Sequence, residues 1–105
     1  MPLPELSDQI ARFGALGFLV TVGDDGRAHP ASVVVGTGDG ATLRMGAGRR
    51  TAANVRARPD VTMLWAGPLD GYALLVDGTA AVHDDAVVVT PTGAVLHRVA
   101  GTDAP

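Results

Sequence analysis

The chain has 105 residues, 47% of them apolar, a formal charge of −3, eight arginines, and neither lysine nor cysteine. Such a length and apolar share suit a single packed domain over residues 1–105 and exclude wholesale disorder, while the lack of cysteine excludes disulfides, thiol catalysis and cysteine-bound metals. The acidic balance excludes a general nucleic-acid binder, the apolar runs are too short to span a bilayer, and the start MPLPELSD lacks the basic and apolar segments of an export signal, so a cytoplasmic protein is expected.

In chain order, LPELSDQIARFG predicts a helix, because Leu6, Ile10 and Phe13 share one side at helical spacing and Gly14 can end it. ALGFLVTV predicts a strand, with Phe18, Val20 and Val22 alternating against Leu19 and Thr21. GDDG is a turn, AHPASVVVG a second strand, TGDG a hairpin turn and ATLRM a third strand, so the first half reads as a three-stranded meander. At RRTAANVRARP the period changes. Its alanines favour a helix, Pro59 stops it, and Thr51, Asn54, Val55 and Arg58 fall on one face. DVTMLWAG returns to period two through Val61, Met63 and Trp65, and PLDG turns the chain. YALLVDGTAAV reads as a long strand or two strands, with a bulge at Asp77-Gly78 as one form of the break. HDD is a turn, AVVVT and AVLHRV are two further strands about a PTG turn, and AGTDAP is a loose tail. Six to seven short strands with glycine-rich turns, an N-terminal helix and one short central helix predict a mainly β fold, a closed or nearly closed antiparallel barrel.

The stretch GAGRRTAANVRARP stands out chemically, since it holds half of the arginines: Arg49, Arg50, Arg56 and Arg58. Cations at a helix start are unfavourable by about 0.3–1 kcal/mol each. An anion would reverse that conflict. First-turn N–H groups, the two guanidinium groups and the Thr51 hydroxyl would converge on one phosphate, with GAG letting the backbone come close. The competing reading is a solvated turn whose arginines pair with aspartates. Arg56 and Arg58 lie near the helix C-terminus, where cations are favourable. Asn54 either bridges the helix to a strand or faces water.

Elsewhere the plain reading prevails. His29, His83 and His97 lack metal-ligand spacing. His29, after the turn at the start of a strand, either lines a groove or, as the plainer reading, is structural or surface, and His97, alternating with Val95 and Val99, reads as partly buried. GTGDG joins two strands, so it is a turn and not a dinucleotide fingerprint. The Asp24-Asp25 and Asp84-Asp85 pairs occupy turns, and neither Ser7 nor Ser32 has a base partner.

Taken together, FLVTVGDDGRAHPASVVVG and GATLRMGAGRRTAANVRARPDVTMLW resemble the pyridoxamine 5′-phosphate oxidase-like, flavin-binding split-barrel family. The resemblance lies in the D-G turn leading into GRAHPASVV, the Arg-Arg-Thr segment opening a helix, Asn54 three residues on, and RP-x-V entering the next strand. It covers roughly Phe18 to Trp65, and the closing strands fit more loosely. It implies a split antiparallel β-barrel that forms a homodimer, with FMN in a groove between subunits. F420 is the alternative cofactor, and some relatives bind haem. The implied activity is an oxidoreductase acting on a small-molecule substrate or electron donor. The alternative is a non-catalytic haem- or flavin-binding protein, or a dimeric interaction protein, of the same fold. The resemblance places the cofactor phosphate on Arg49, Arg50 and Thr51, with Asn54 in support. The ring lies along the second and third strands near Ser32, Val33, Val34 and Met45, its edge bonded by backbone groups, and Trp65 approaches from the strand after the helix. No catalytic side chain is implied. The chain departs from the family in having Ala28 where a proline often precedes the histidine, only arginine where a lysine is frequent, and a short HDD connection.

Overall fold

The computed structural model describes residues 1–101; of the tail expected to be loose, the last four residues lie outside them. One turn of 3-10 helix, Leu3–Glu5, leads into α1, Leu6–Phe13. Leu6 is buried, and Ile10 and Phe13 pack against the core from the same face. Gly14 ends α1 at φ 101°, a conformation that only glycine adopts without strain, and its N–H bonds to Ile10 O.

Seven strands follow: β1 Leu16–Val22, β2 Ala28–Val34, β3 Gly36–Thr37, β4 Leu43–Gly46, β5 Asp60–Leu69, β6 Tyr72–His83 and β7 Ala86–Arg98, with α2, Arg49–Ala57, between β4 and β5. All pairings are antiparallel, in the order β2-β1-β5-β6-β7-β4-β3. The two ends of that order are neighbours in the chain, since β2 finishes at Val34 and β3 begins at Gly36. The sheet therefore has to curl until its edges meet at Val35, whose N–H bonds to Ala15 O at 2.7 Å. The edges do not pair with each other, which leaves the barrel split along that seam.

This topology corrects the three-stranded meander. β1 and β2 pair as a hairpin, but β4 pairs with β7, Leu43 opposite Val89 and Gly46 opposite Ala86, and the TGDG turn joins β4 to the short β3. Burial decides it: Leu43 and Met45 lie inside with Val87 and Val89. β2 is left as an edge strand, which tolerates Pro30 because an edge has N–H positions that need no partner.

AVVVT and AVLHRV are one strand, not two. Asp77 pairs with Gly93 and Gly78 with Pro91, so Thr92 is an extra residue bulged out of β7. Pro91, without an N–H, fits at such a bulge. The irregularity expected at Asp77-Gly78 is there, and β6 runs through it unbroken. Gly78 is required because a Cβ would lie 2.7 Å from both Thr90 O and Val89 Cγ1. β5 extends past the expected turn to Leu69, and Asp70 (φ 53°) with Gly71 (φ 85°) makes a two-residue hairpin. His97 is exposed, as is Val95 beside it on β7, against the expectation of partial burial.

The core comprises Leu19, Val33, Met45, Met63, Trp65, Leu74, Val76, Val87 and Val89, each 5% exposed or less. Burying each of the larger side chains is worth about 1.5–3 kcal/mol. Trp65 fits because Gly17 opposite it has no Cβ, which would lie 3.1 Å from the indole. α2 packs on β1 and β6, presenting Thr51, Asn54 and Val55 inward.

Candidate functional site

The first turn of α2 is open. Its N-cap is Gly48, which has no side chain to accept the free N–H groups of Arg49, Arg50 and Thr51; the helical ladder starts with Ala52 N–H to Gly48 O at 3.0 Å. Arg49 and Arg50 are exposed, and neither comes within 4.0 Å of a carboxylate among the described residues. Of the competing reading, the pairing with aspartates is therefore absent for these two arginines among the described residues, while the solvated turn agrees with their exposure. Arg49 stands on the wall of a pocket of about 300 Å³ with Gly48, Arg56, Val82, Asp84 and Asp85.

Arg50 points the other way, toward β2. Its Nη2 lies 3.5 Å from His29 Nε2, which in turn lies 3.3 Å from Asp25 Oδ1. Asp25 Oδ1 also accepts the Arg27 N–H at 2.9 Å. That backbone donor is the main reason the Asp25 carboxyl is held below the ordinary aspartate value; the contact with His29 is next, and the Arg50 charge adds a little. Sequence reasoning weighed His29 as a groove residue and preferred a structural or surface role. The signal was the tight GDDG turn, which folds residue 29 back beside residue 25.

The rest of α2 is docked firmly. Asn54, buried, donates from Nδ2 to the buried Thr21 Oγ1 on β1 at 3.1 Å, which resolves its two readings in favour of a bridge. Arg58, just past the helix, donates from Nε to Val22 O at 2.7 Å and from Nη2 to Asp24 Oδ1 at 2.8 Å. Arg58 is thus a strut to the β1–β2 turn, while Arg56 stays exposed. Both contacts hold the open first turn of α2 at the barrel mouth.

The other expected site residues divide by strand parity. Ser32 and Val34 point outward from β2, Val34 being 70% exposed. Val33 and Met45 point into the core, so only their backbone can serve a ligand outside. Trp65 does not approach the site: it is turned inward, 2% exposed, with Nε1–H donated to Gly14 O at 2.9 Å. On the outer face, register aligns Ser32, Phe18, Leu64, Leu75 and Val95 in one row across five strands, four of the five being large apolar residues. Leu16 and Val34, directly opposite each other beside that row, are each 70% exposed. A separate apolar cleft of about 340 Å³, between α1 and the β3–β4 hairpin, has no charged residue in its lining.

This chain belongs to the pyridoxamine 5′-phosphate oxidase family, whose model matches residues 4–98. An uncharacterized protein of Mycobacterium bovis is 38% identical over 106 aligned positions, which cover 84% of this chain and 74% of the relative. Among solved structures, the FAD binding protein from Mycobacterium smegmatis superposes with a TM-score of 0.65 at 23% identity, over 90% of this chain and 91% of that one. An F420 reductase superposes with a TM-score of 0.63 at 20% identity, over 77% of this chain and 89% of the other. At these identities the structural likeness shows a common fold.

Proposed function

We propose that this protein is an FMN-dependent oxidoreductase, with F420 as the alternative cofactor, acting as a homodimer in the cytoplasm. One observation carries the reading: two arginines stand at an uncapped helix N-terminus, and among the described residues no carboxylate lies within 4.0 Å of either. Family membership, and the names of the F420 reductase and the FAD binding protein that share the fold, support the choice of cofactor class.

The donor set fits a phosphate. Arg49 and Arg50 supply charge, the first-turn amides and the Thr51 hydroxyl supply directed donors, and Asn54 fixes the helix that carries them. From there β2 leads to the outward Ser32 and Val34, with the Val33 peptide between them to bond a ring edge. Met45 and Trp65 back this wall from inside the core. When bound, the flavin supplies the hydride or electron chemistry; the chain binds it, orients it and keeps water out. Water exclusion is the role assigned to the outer row through Phe18, Leu64 and Leu75. A second copy of the chain, laid twofold on that row, would cover it and complete the groove beside Ser32.

Absorbance spectroscopy tests the reading. Titrating the purified protein with FMN, and separately with F420, is expected to shift the cofactor's visible band, and a reduced nicotinamide donor to bleach it. A folded protein that shifts neither spectrum contradicts the proposal. A band shift without bleaching by any donor points to the non-catalytic binding protein instead.

A further inference from the structure

His29 Nε2 has two neighbours that make opposite demands on it. Asp25 Oδ1, at 3.3 Å, is an acceptor and requires Nε2 to carry hydrogen; Arg50 Nη2, at 3.5 Å, is a donor and requires a lone pair. One nitrogen cannot satisfy both, so the two contacts exclude each other. The ring sits in a notch over Gly23, where a Cβ would lie 2.5 Å from Nε2, 2.7 Å from Cδ2 and 3.0 Å from Asp25 Oδ1. Only glycine leaves room there for the imidazole and the carboxylate together, and the His29 side chain is just 23% exposed.

We propose that His29 is a positioning residue for Arg50, holding the guanidinium when neutral and releasing it to the ligand's phosphate when protonated. This rests on the reading of Arg50 as a phosphate contact. A neutral ring with its hydrogen on Nδ1 accepts from Arg50 and draws the guanidinium toward β2. A protonated ring gives Nε2–H to Asp25, repels Arg50 and adds its own positive charge to the mouth of the barrel. Both effects favour an anion at low pH. The charged groups on the elements packed about the ring are Asp24, Asp25 and Arg27 of the β1–β2 turn, Arg50 of α2, and Arg58, which is bonded to Asp24. Among these residue types, histidine is the one whose charge changes between about pH 5.5 and 8.

The test uses sulfate, whose charge is constant over that range, so that ionisation of a phosphate cannot confuse the result. Sulfate is titrated into the full chain and followed by the amide NMR signals of Arg49 to Ala52. In the wild type, sulfate is expected to bind at least about fivefold more tightly at pH 5.5 than at pH 8, the effect in water of one added charge at contact distance per unit of ligand charge. In His29→Gln the ratio should fall to about one. Asp25→Asn, which keeps the side-chain size and the ring, should move the profile to lower pH, a test that stands even where His29→Gln fails to fold. Sulfate binding with the same pH ratio in the wild type and His29→Gln overturns the positioning role and leaves the phosphate site standing. No response of the α2 amides to sulfate or FMN at any pH overturns the phosphate site, and this role with it.

Discussion

Asn54 and Thr21 bond side chain to side chain across 3.1 Å, with neither residue more than 6% exposed. The bond ties the middle of α2 to an inward position of β1, and so sets where the first turn of the helix lies. Removing one partner strands the other inside, at a cost of about 1–3 kcal/mol. Asn54→Ala is expected to lower the melting temperature by at least about 4 °C. Asn54→Leu combined with Thr21→Val should cost less than the sum of the single changes, because no polar group is then left unpaired. Calorimetry on the wild type, Asn54→Ala, Asn54→Leu, Thr21→Val and the double variant checks both statements.

The bulge opposite Gly78 gives a second prediction. With Thr90 O and Val89 Cγ1 both 2.7 Å from the site of a new methyl group, Gly78→Ala has to push β6 and β7 apart. Overpacking of this kind costs about 1–3 kcal/mol. Urea titration should show the loss. Deleting Thr92, the bulged residue, should leave Asp77 opposite Gly93 and Gly78 opposite Pro91 in a regular ladder, with Ala94 still inside opposite Val76, so the deletion should be tolerated better than Gly78→Ala.

Much of this architecture was legible in the residues, and the failures have physical causes. Alternation picked out β1, β2, β5 and β6, and a change of period picked out α2, because those signals are local. The partner of β4 was not legible: pairing with β7 is decided by where Leu43 and Met45 can be buried, a long-range matter. PTG looked like a turn because proline and glycine usually mark one; here the same residues make a bulge inside a continuous strand. At the site, Arg49, Arg50, Thr51 and Asn54 were legible as one helix segment. The inward turn of Trp65 was legible in its alternation with Val61 and Met63, though the resemblance had placed it toward the site; the room for its ring over Gly17 was not. Nor was the contact of His29 with Asp25 and Arg50, which needs the turn geometry.

Acid provides a third prediction. The Asp25 carboxyl is held below its ordinary value of 3.8, chiefly by the Arg27 N–H and then by His29. Its folded-state pKa being the lower one, it contributes stability above pH 3.8, and that contribution is lost as pH falls through the depressed value. Asp25→Asn should therefore be less stable than the wild type at pH 5, and the gap should close as the pH drops below the ordinary aspartate value. Urea midpoints measured in acid steps check the trend.

Oligomeric state follows from the outer row. If Phe18, Leu64 and Leu75 meet a second copy, Phe18→Glu or Leu75→Glu should yield a folded monomer with weakened flavin binding. Sedimentation velocity reads the mass. A wild type that sediments as a monomer at micromolar concentration contradicts the composite groove.

The most direct measurement compares FMN with riboflavin, which has the same ring and no phosphate. Fluorescence quenching gives both affinities for the wild type and for Arg49→Ala/Arg50→Ala. Two charge-assisted contacts, each worth about 1.5–3 kcal/mol, predict that the double variant loses FMN affinity by at least about a hundredfold. Riboflavin affinity should be nearly unchanged. FMN bound as tightly by the folded double variant as by the wild type, or riboflavin weakened as much as FMN, would contradict a phosphate held at the start of α2.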